Sequence, residues 1–185
     1  MDFRGEPRSN VTHQSTSDRN GQLVRKNRGQ AAILAYRGHV LLENRRSLVM
    51  QAQATHVVLA SEPATALAHT TGIPGAQRAT LGGDKGCDTA AFVTGCCKLA
   101  ITPLVAQSIN EHRGSAIDSR TTRHPGYAVS QRRRKRVEEV FGWPKIIGQL
   151  GKLHHRGTAL VNLIFLLRTT VSNLAWMQNF LEGTA

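Results

Sequence analysis

The segment at residues 77–107 constrains the fold most, because it has the pattern of a β-α-β unit. Its apolar start predicts a short strand that a pair of glycines ends. Asp88 and Thr89 are suitable N-caps for a helix that continues to Leu99, and residues 101–107 then alternate as a second strand. Two strands joined through a helix lie parallel in one sheet. We therefore expect an α/β protein.

Further elements are predicted around this unit. Residues 1–30 are polar and have almost no apolar periodicity, which predicts a loop or an extended arm. The runs at 31–44 and 47–59 predict two adjacent antiparallel strands, and 61–71 predicts a short helix. Residues 158–181 predict one long amphipathic or buried helix. Its apolar positions at helical spacing are Leu160, Leu163, Ile164, Leu167, Val171, Leu174, Met177 and Leu181.

The apolar stretches and the cysteines favour a cytoplasmic chain. The longest apolar stretch, residues 159–167, is broken by Asn162 and followed by Arg168, so it is too short and too polar for a membrane span. The N-terminal residues lack the apolar region of a secretory signal. The three cysteines are odd in number and form no Cys-x-x-Cys pair, which indicates neither a disulfide framework nor a zinc site.

Positive charge is concentrated in two regions. The chain has 24 Lys and Arg against 12 Asp and Glu, a formal charge of +12. Residues 111–156 hold 11 basic and 4 acidic side chains, and residues 1–50 hold 9 and 4, whereas the rest is balanced. A regional excess of this kind favours nucleic acid as the partner. No helix combines the basic run with a broad apolar face, so a membrane partner is not expected.

The run of five basic residues at 132–136 predicts a basic helix. Ser130 is placed to cap it, and apolar side chains after the run form a stripe that would dock it on the core. Gly142 and Pro144 are expected to bend or end this helix. The preceding polar segment, residues 108–127, has no core pattern and predicts a surface loop that contacts a ligand.

Asp84 and Glu138 are the carboxylates best suited to metal chemistry. Asp84 follows a predicted strand, and Glu138 lies one helical turn after Arg134. Phosphodiester cleavage commonly uses two divalent ions, and Mg²⁺ prefers carboxylate ligands. Simpler interpretations stay open: Asp84 suits a turn, Glu138 suits an ion pair with Arg134, and part of the basic run suits a solvated surface.

Several blocks of the sequence resemble insertion-sequence DDE transposases. Three residues separate Arg134 from Glu138 and six separate Glu138 from Lys145, as in the Arg-Glu-Lys signature of that family. The blocks LGGDKGCDTAAFV and SAIDSRTTRHPGYAVSQRRRKRVEEVFGWPK are similar to the family as well, and the resemblance covers nearly the whole chain. It implies an RNase H-like mixed sheet flanked by helices over residues 31–157, with a C-terminal helix at 158–185 packed on it.

The resemblance implies a DNA transposase in which three acidic residues bind two Mg²⁺ ions for strand cleavage and transfer. Asp84 falls on the second aspartate of the family and Glu138 on its glutamate. Double-stranded DNA, at the element ends and at the target, is the implied partner, and an oligomer with an intact transposase is a further one. The expected location is the cytoplasm, on the nucleoid. The residues expected to contact DNA are Arg123, His124, Arg132, Arg133, Arg134, Lys135, Arg136, Lys145 and Arg156.

The chain also departs from the family pattern. The first catalytic aspartate of the family lies on a central strand before the DFRGE block, and this sequence starts at that block. We therefore expect an incomplete RNase H-like sheet and a chain that is inactive, or nearly so, by itself. At the tyrosine position of the signature the chain has Gln131. The alternative is a non-catalytic nucleic-acid-binding remnant that modulates an intact transposase.

Overall fold

The computed structural model describes most of the chain. The described residues are 2–3, 6–7, 9–25, 29–57, 62–73, 79–108, 114–146 and 154–182, with only the backbone described at 2–7 and 143–146. The chain divides into two units. Unit 1 comprises Met1–His39, Ala52–Ala60 and Pro144–Ala185, and unit 2 comprises Val40–Gln51 and Ser61–Trp143.

The described residues form eight strands and six helices. The strands are β1 (Asp2–Phe3), β2 (Glu6–Pro7), β3 (Gln22–Val24), β4 (Ile33–Ala35), β5 (Arg37–Leu42), β6 (Val49–Thr55), β7 (Thr80–Gly83) and β8 (Thr102–Val105). The helices are α1 (Glu62–Thr71), α2 (Ala90–Lys98), α3 (Ser119–Thr122), α4 (Pro125–Arg133), α5 (Arg136–Ile146) and α6 (Thr158–Leu181). Within the described residues the strands pair only in twos, in chain order. The protein is therefore mixed α/β with small sheets.

The predicted β-α-β unit is confirmed in unit 2. β7 and β8 pair in parallel, with Thr80 opposite Thr102, and α2 connects them. The N-cap of α2 is Thr89, whose hydroxyl accepts a hydrogen bond from the Phe92 N–H at 3.2 Å. The glycine pair expected to end the first strand lies inside β7 instead.

The core of unit 2 lies between this sheet and the helices α1 and α2. Its buried side chains are Leu81, Cys87, Phe92, Cys96, Ile101, Val105 and Ile117. Burial, with a smaller contribution from the charges of Asp84 and Glu62, raises the pKa of the Cys87 thiol to about 12. Burial also raises the pKa of Cys96 to about 11. Both thiols are therefore protonated at neutral pH and act as core side chains.

Asp88 fixes the segments that follow β8. Its side chain is 2% exposed. One carboxylate oxygen accepts from the Ser108 N–H at 2.6 Å and the other from the Ala116 N–H at 2.8 Å. Burial alone would raise the pKa of Asp88, but the hydrogen bonds that it accepts outweigh burial and lower it. Thr89 therefore caps α2, and Asp88 holds two distant backbone groups.

Two helices begin within the segment predicted as a loop at residues 108–127. Asp118 caps α3, and His124 caps α4 by accepting from the Gly126 N–H. Ser130 was expected to cap the basic helix, but it lies inside α4 and is buried. The helix starts earlier because His124 and the following proline form a complete N-terminal signal.

The basic run at 132–136 is divided between two helices instead of forming one. α4 ends within the run, a two-residue turn follows, and α5 begins at Arg136. α5 then continues through Gly142 and Pro144, so neither residue ends the helix where expected. A helix can contain a proline when it gives up one backbone hydrogen bond.

Asp18 organises the described part of the predicted polar arm in unit 1. Its two carboxylate oxygens accept from the Tyr36 hydroxyl at 3.0 and 2.9 Å. Oδ1 also accepts from the backbone N–H groups of Asn20 and Gly157. Burial and this carboxylate together raise the pKa of Tyr36 to about 12. The described part of residues 1–30 thus includes a strand, β3, which pairs antiparallel to β4.

The predicted long helix is confirmed as α6. The residues that it buries are not the apolar positions that predicted it. The side chains that it buries are Val161, Phe165, Thr169 and Ser172. Asn162 accepts a hydrogen bond from the Ala54 N–H at 2.8 Å on the same side of the helix. The apolar positions that predicted the helix are mostly exposed. Periodicity located the helix correctly but did not reveal which of its faces is buried.

Among the described residues, α6 is the one helix whose length and composition would allow it to cross a membrane. The nine-residue stretch at 159–167 alone is too short and too polar to span a membrane. The helix passes the criterion because further apolar residues follow Arg168.

Asp88→Ala is expected to lower the free energy of unfolding by about 2–4 kcal/mol, because it leaves two part-buried N–H groups without an acceptor. The stability that Asp88 contributes is present above its ordinary pKa of 3.8 and is lost as the pH falls through its lower folded pKa. Urea unfolding at a series of pH values measures both effects. Asp118→Ala, at an exposed carboxylate, should have a much smaller effect. Equal urea midpoints for Asp88→Ala and the unmodified chain would contradict the role of Asp88.

Candidate nucleic-acid interface

A cavity of about 540 Å³ lies in unit 2. The β5–β6 turn, the start of β7 and the junction of α4 with α5 surround it. Its floor is apolar, with Leu41, Leu81 and Ile101 among the lining residues. The polar lining residues are Glu43, Asn44, Arg45, Ser47, Thr70, Thr80, Ser130, Arg133, Arg134 and Arg136. Four arginines and a single carboxylate thus border one cavity.

Hydrogen bonds to β8 fix the position of α4. The Tyr127 hydroxyl donates to the Val105 carbonyl at 3.1 Å, and the Gln131 amide donates to the Leu104 carbonyl at 2.8 Å. The residue that departs from the transposase signature, Gln131, therefore contacts the end of the strand. Because both bonds hold the same helix, the arginines at its C-terminal end have a defined position next to the cavity.

A glycine lets α4 approach β7 closely. A Cβ atom on Gly82 would lie 2.9 Å from the Ser130 hydroxyl oxygen, closer than side-chain carbons tolerate. Ser130 faces the same cavity and is buried. The absence of a side chain at Gly82 therefore sets the distance between the basic end of α4 and the sheet.

Two arginines donate to the backbone of the β5–β6 turn. Arg133 Nη1 donates to the Asn44 carbonyl at 2.9 Å. Arg136 Nη1 donates to the Ser47 hydroxyl at 3.2 Å and to the Arg45 carbonyl at 3.4 Å. These acceptors orient the two guanidinium groups but leave their positive charge uncompensated.

Arg134 has a buried donor without an acceptor. In the described part of the chain, its Nε atom is buried and makes no hydrogen bond. A buried donor in this state costs about 1–3 kcal/mol, so an unpaired group of this kind calls for an explanation such as a missing ligand or ion. An anionic oxygen that reached this nitrogen would satisfy it. Arg134 is the residue that most directly indicates a ligand.

The β5–β6 turn is the part of the site that the sequence did not reveal. It was expected only to reverse the chain between two strands. Ser47 has a φ of 59°, in the left-handed region that is uncommon for a residue other than glycine. Glu43 accepts from the N–H groups of Arg45 and Arg46, which closes the turn. The adjacent arginines of this turn, Arg45 and Arg46, were the sequence signal that could have pointed to its part in the site.

The predicted metal ligands are both exposed. Asp84 Oδ1 accepts from the Gly86 N–H at 2.8 Å and begins a short 3₁₀ turn, which is the geometry of a turn aspartate. Glu138 lies in the first turn of α5, and no ion pair joins it to Arg134 within the described residues.

No group of three or more His, Cys, Asp or Glu side chains that could hold a metal ion occurs in the described ranges. The metal roles of Asp84 and Glu138 stay predictions.

The remaining predicted DNA contacts lie elsewhere. Arg123 donates to the Ser119 hydroxyl, and His124 caps α4. Arg132 and Lys135 are exposed. The last two residues belong to unit 1: Arg156 is exposed, and the side chain of Lys145 lies outside the described residues. Of the nine residues, the structure places Arg133, Arg134 and Arg136 around the cavity.

Comparisons of the chain with protein-family models, with curated proteins and with solved structures find no match. The transposase resemblance stays a prediction from the sequence.

Gly82→Ala should lower the free energy of unfolding by about 1–2 kcal/mol, although replacing glycine in a strand is usually stabilising. The reason is the 2.9 Å contact of the added methyl with the Ser130 hydroxyl. The second substitution Ser130→Ala should restore part of the loss. Gly114→Ala is the matched control, because nothing lies within 4 Å of its Cβ position. Urea unfolding of Gly82→Ala, Ser130→Ala, the double variant and Gly114→Ala tests this contact. Strictly additive effects of the Gly82 and Ser130 substitutions would disprove it.

Proposed function

We propose that the chain binds the phosphate backbone of double-stranded DNA and belongs to a DDE-class DNA transposase. The observation that carries the binding proposal is the buried, unpaired Nε of Arg134, a residue that lines a cavity together with three more arginines. Guanidinium groups match phosphate oxygens in geometry and charge, and an anionic oxygen accepts the strongest hydrogen bonds.

The charge distribution supports a polymer of phosphates. The chain carries a formal charge of +12, and the region around the α4–α5 junction holds much of the excess. Arg132 and Lys135 are exposed beside the arginines of the cavity, so they would contact phosphates outside it. This arrangement gives affinity without base readout, because contacts to phosphate carry no sequence information directly.

The transposase part of the proposal rests on the resemblance. It assigns Arg134 a phosphate-steering role, and the unpaired donor independently favours the same role. The parallel β7-α2-β8 unit is compatible with an RNase H-like domain. Strand cleavage and transfer, with Asp84 and Glu138 as Mg²⁺ ligands, rest on the signature spacing alone. A cytoplasmic location on the nucleoid belongs to the same proposal.

A second candidate is a DNA-binding chain that does not cleave DNA and modulates an intact transposase. The exposure of both carboxylates and the turn contact of Asp84 favour it. DNA nicking by the purified chain with Mg²⁺ separates the two candidates. Nicking that Asp84→Ala abolishes would exclude the second candidate, and DNA binding without nicking that survives Asp84→Ala and Glu138→Ala would favour it.

Arg134→Ala is expected to weaken binding to a short fluorescent DNA duplex by about tenfold, because one charged hydrogen-bond donor to phosphate is lost. The slope of log K against log salt should fall by about 0.9 for each phosphate contact removed, and by about twice that for Arg133→Ala combined with Arg134→Ala. Fluorescence anisotropy over a salt series measures both quantities.

Lys98→Ala is the charge-matched control for this experiment. Lys98 is an exposed cation in the last turn of α2 and does not line the cavity. Its loss should leave the affinity and the salt slope nearly unchanged. If Arg134→Ala and Lys98→Ala weaken binding equally, the interaction depends on net charge and the proposed site is wrong.

A further inference from the structure

Phosphate binding does not explain the apolar floor of the cavity in unit 2. A phosphate group needs only the donors at the border of the cavity, and it gains nothing from an aliphatic surface. Aliphatic side chains of the floor include Leu41, Met50, Ile73, Leu81, Ile101 and Val137. A largely apolar concave surface with a few polar groups is typical of a small-molecule site, and the volume of about 540 Å³ is in the range of such sites. The floor therefore points to a ligand that has an apolar part.

Three of the four arginines of the cavity lie at the β5–β6 turn. Arg133 donates to the Asn44 carbonyl and Arg136 donates to the Ser47 hydroxyl, so both guanidinium groups are held at this turn. Arg45 belongs to the turn itself. The aliphatic lining comes largely from strands β5, β6 and β7. The cavity therefore combines a cationic part at the turn with an aliphatic part along the strands.

The lining residues favour an anion that carries an alkyl chain. Four arginines against the single carboxylate of Glu43 favour an anionic head, and a guanidinium group can bind a carboxylate through two parallel hydrogen bonds. Among the described lining residues none is aromatic, whereas nucleobases are commonly held by stacking on aromatic rings. An alkyl chain needs neither a stacking partner nor hydrogen bonds. An aliphatic floor therefore suits it better than it suits a base.

We propose that the cavity binds a fatty acid, with its carboxylate on the arginines and its alkyl chain over the aliphatic floor. The carboxylate would accept hydrogen bonds from guanidinium groups that the protein leaves uncompensated, among them Arg134, whose Nε has no acceptor in the described part of the chain. The ligand would occupy the arginines that contact DNA phosphates, so it would displace a duplex. This competition rests on the proposed function, whereas binding of the fatty acid does not.

Calorimetric titration of the full chain with octanoate, decanoate and dodecanoate, without DNA and below their micelle concentrations, tests the ligand. Each further methylene that reaches the floor should strengthen binding by about fourfold, the factor that a buried methylene contributes. Acetate has no chain to bury and should bind about 100-fold more weakly than dodecanoate, or less tightly still. Decanol has the chain of decanoate without its charge and should also bind more weakly. If acetate or decanol binds as tightly as the matching fatty acid, the proposal is overturned.

Met50→Gln and Val137→Thr test the floor, because each replaces an aliphatic side chain with a polar one of similar size. Both residues line the cavity, and Met50 is 48% exposed, so the fold should tolerate its change. Each variant should weaken dodecanoate binding by about fivefold to tenfold, because a polar group would face the alkyl chain. The matched control is Met177→Gln, at a methionine of α6 that is 40% exposed and does not line the cavity. Equal effects of Met50→Gln and Met177→Gln, or no effect of either floor variant, would overturn the assignment to this cavity.

Displacement of a fluorescent DNA duplex tests the competition. Dodecanoate should release the duplex from the chain, whereas acetate at the same concentration should not. A chain that binds dodecanoate but no DNA would contradict the proposed function and support the fatty-acid site, and binding of both without displacement would overturn the competition. Deoxythymidine monophosphate that binds as tightly as dodecanoate would overturn the proposal in favour of a nucleotide. Flotation with phosphatidylglycerol vesicles, without binding of monomeric dodecanoate, would overturn it in favour of a bilayer.

Discussion

The arginine site of unit 2 depends on the hydrogen bonds that hold α4 to the end of β8. A two-stranded sheet leaves backbone groups unpaired at its edges, and these groups need partners. Tyr127 and Gln131 donate to consecutive carbonyls of β8, so α4 is held at the carboxyl end of that strand. Gly82 then lets Ser130 approach the sheet. These contacts fix the position of the basic end of α4, and with it Arg133 and the adjoining Arg134, beside the cavity.

Local sequence patterns predicted the elements whose signals lie in contiguous residues. The β-α-β unit, the Thr89 cap and the bounds of α6 are confirmed, because caps and periodicity act within a few turns of the chain. Ser130 was assigned wrongly because a serine before a basic run looks like an N-cap, whereas its actual role comes from a contact with Gly82, far away in sequence. Periodicity also did not reveal which face of α6 is buried. Its most regular apolar seam is exposed, and a less regular face that includes Thr169 and Ser172 is buried.

The candidate site was predictable in its charges and not in its geometry. The basic run identified Arg133, Arg134 and Arg136, but nothing in the run indicates which guanidinium groups converge. The acceptors of Arg133 and Arg136 are largely backbone carbonyls of a turn about 90 residues earlier. A carbonyl has no side-chain signature in the sequence. Asp84 shows a different limit, because its sequence pattern is clear but fits two roles. A carboxylate between a strand and a glycine fits both a metal ligand and a turn, and the hydrogen bond to Gly86 realises the second role without excluding the first.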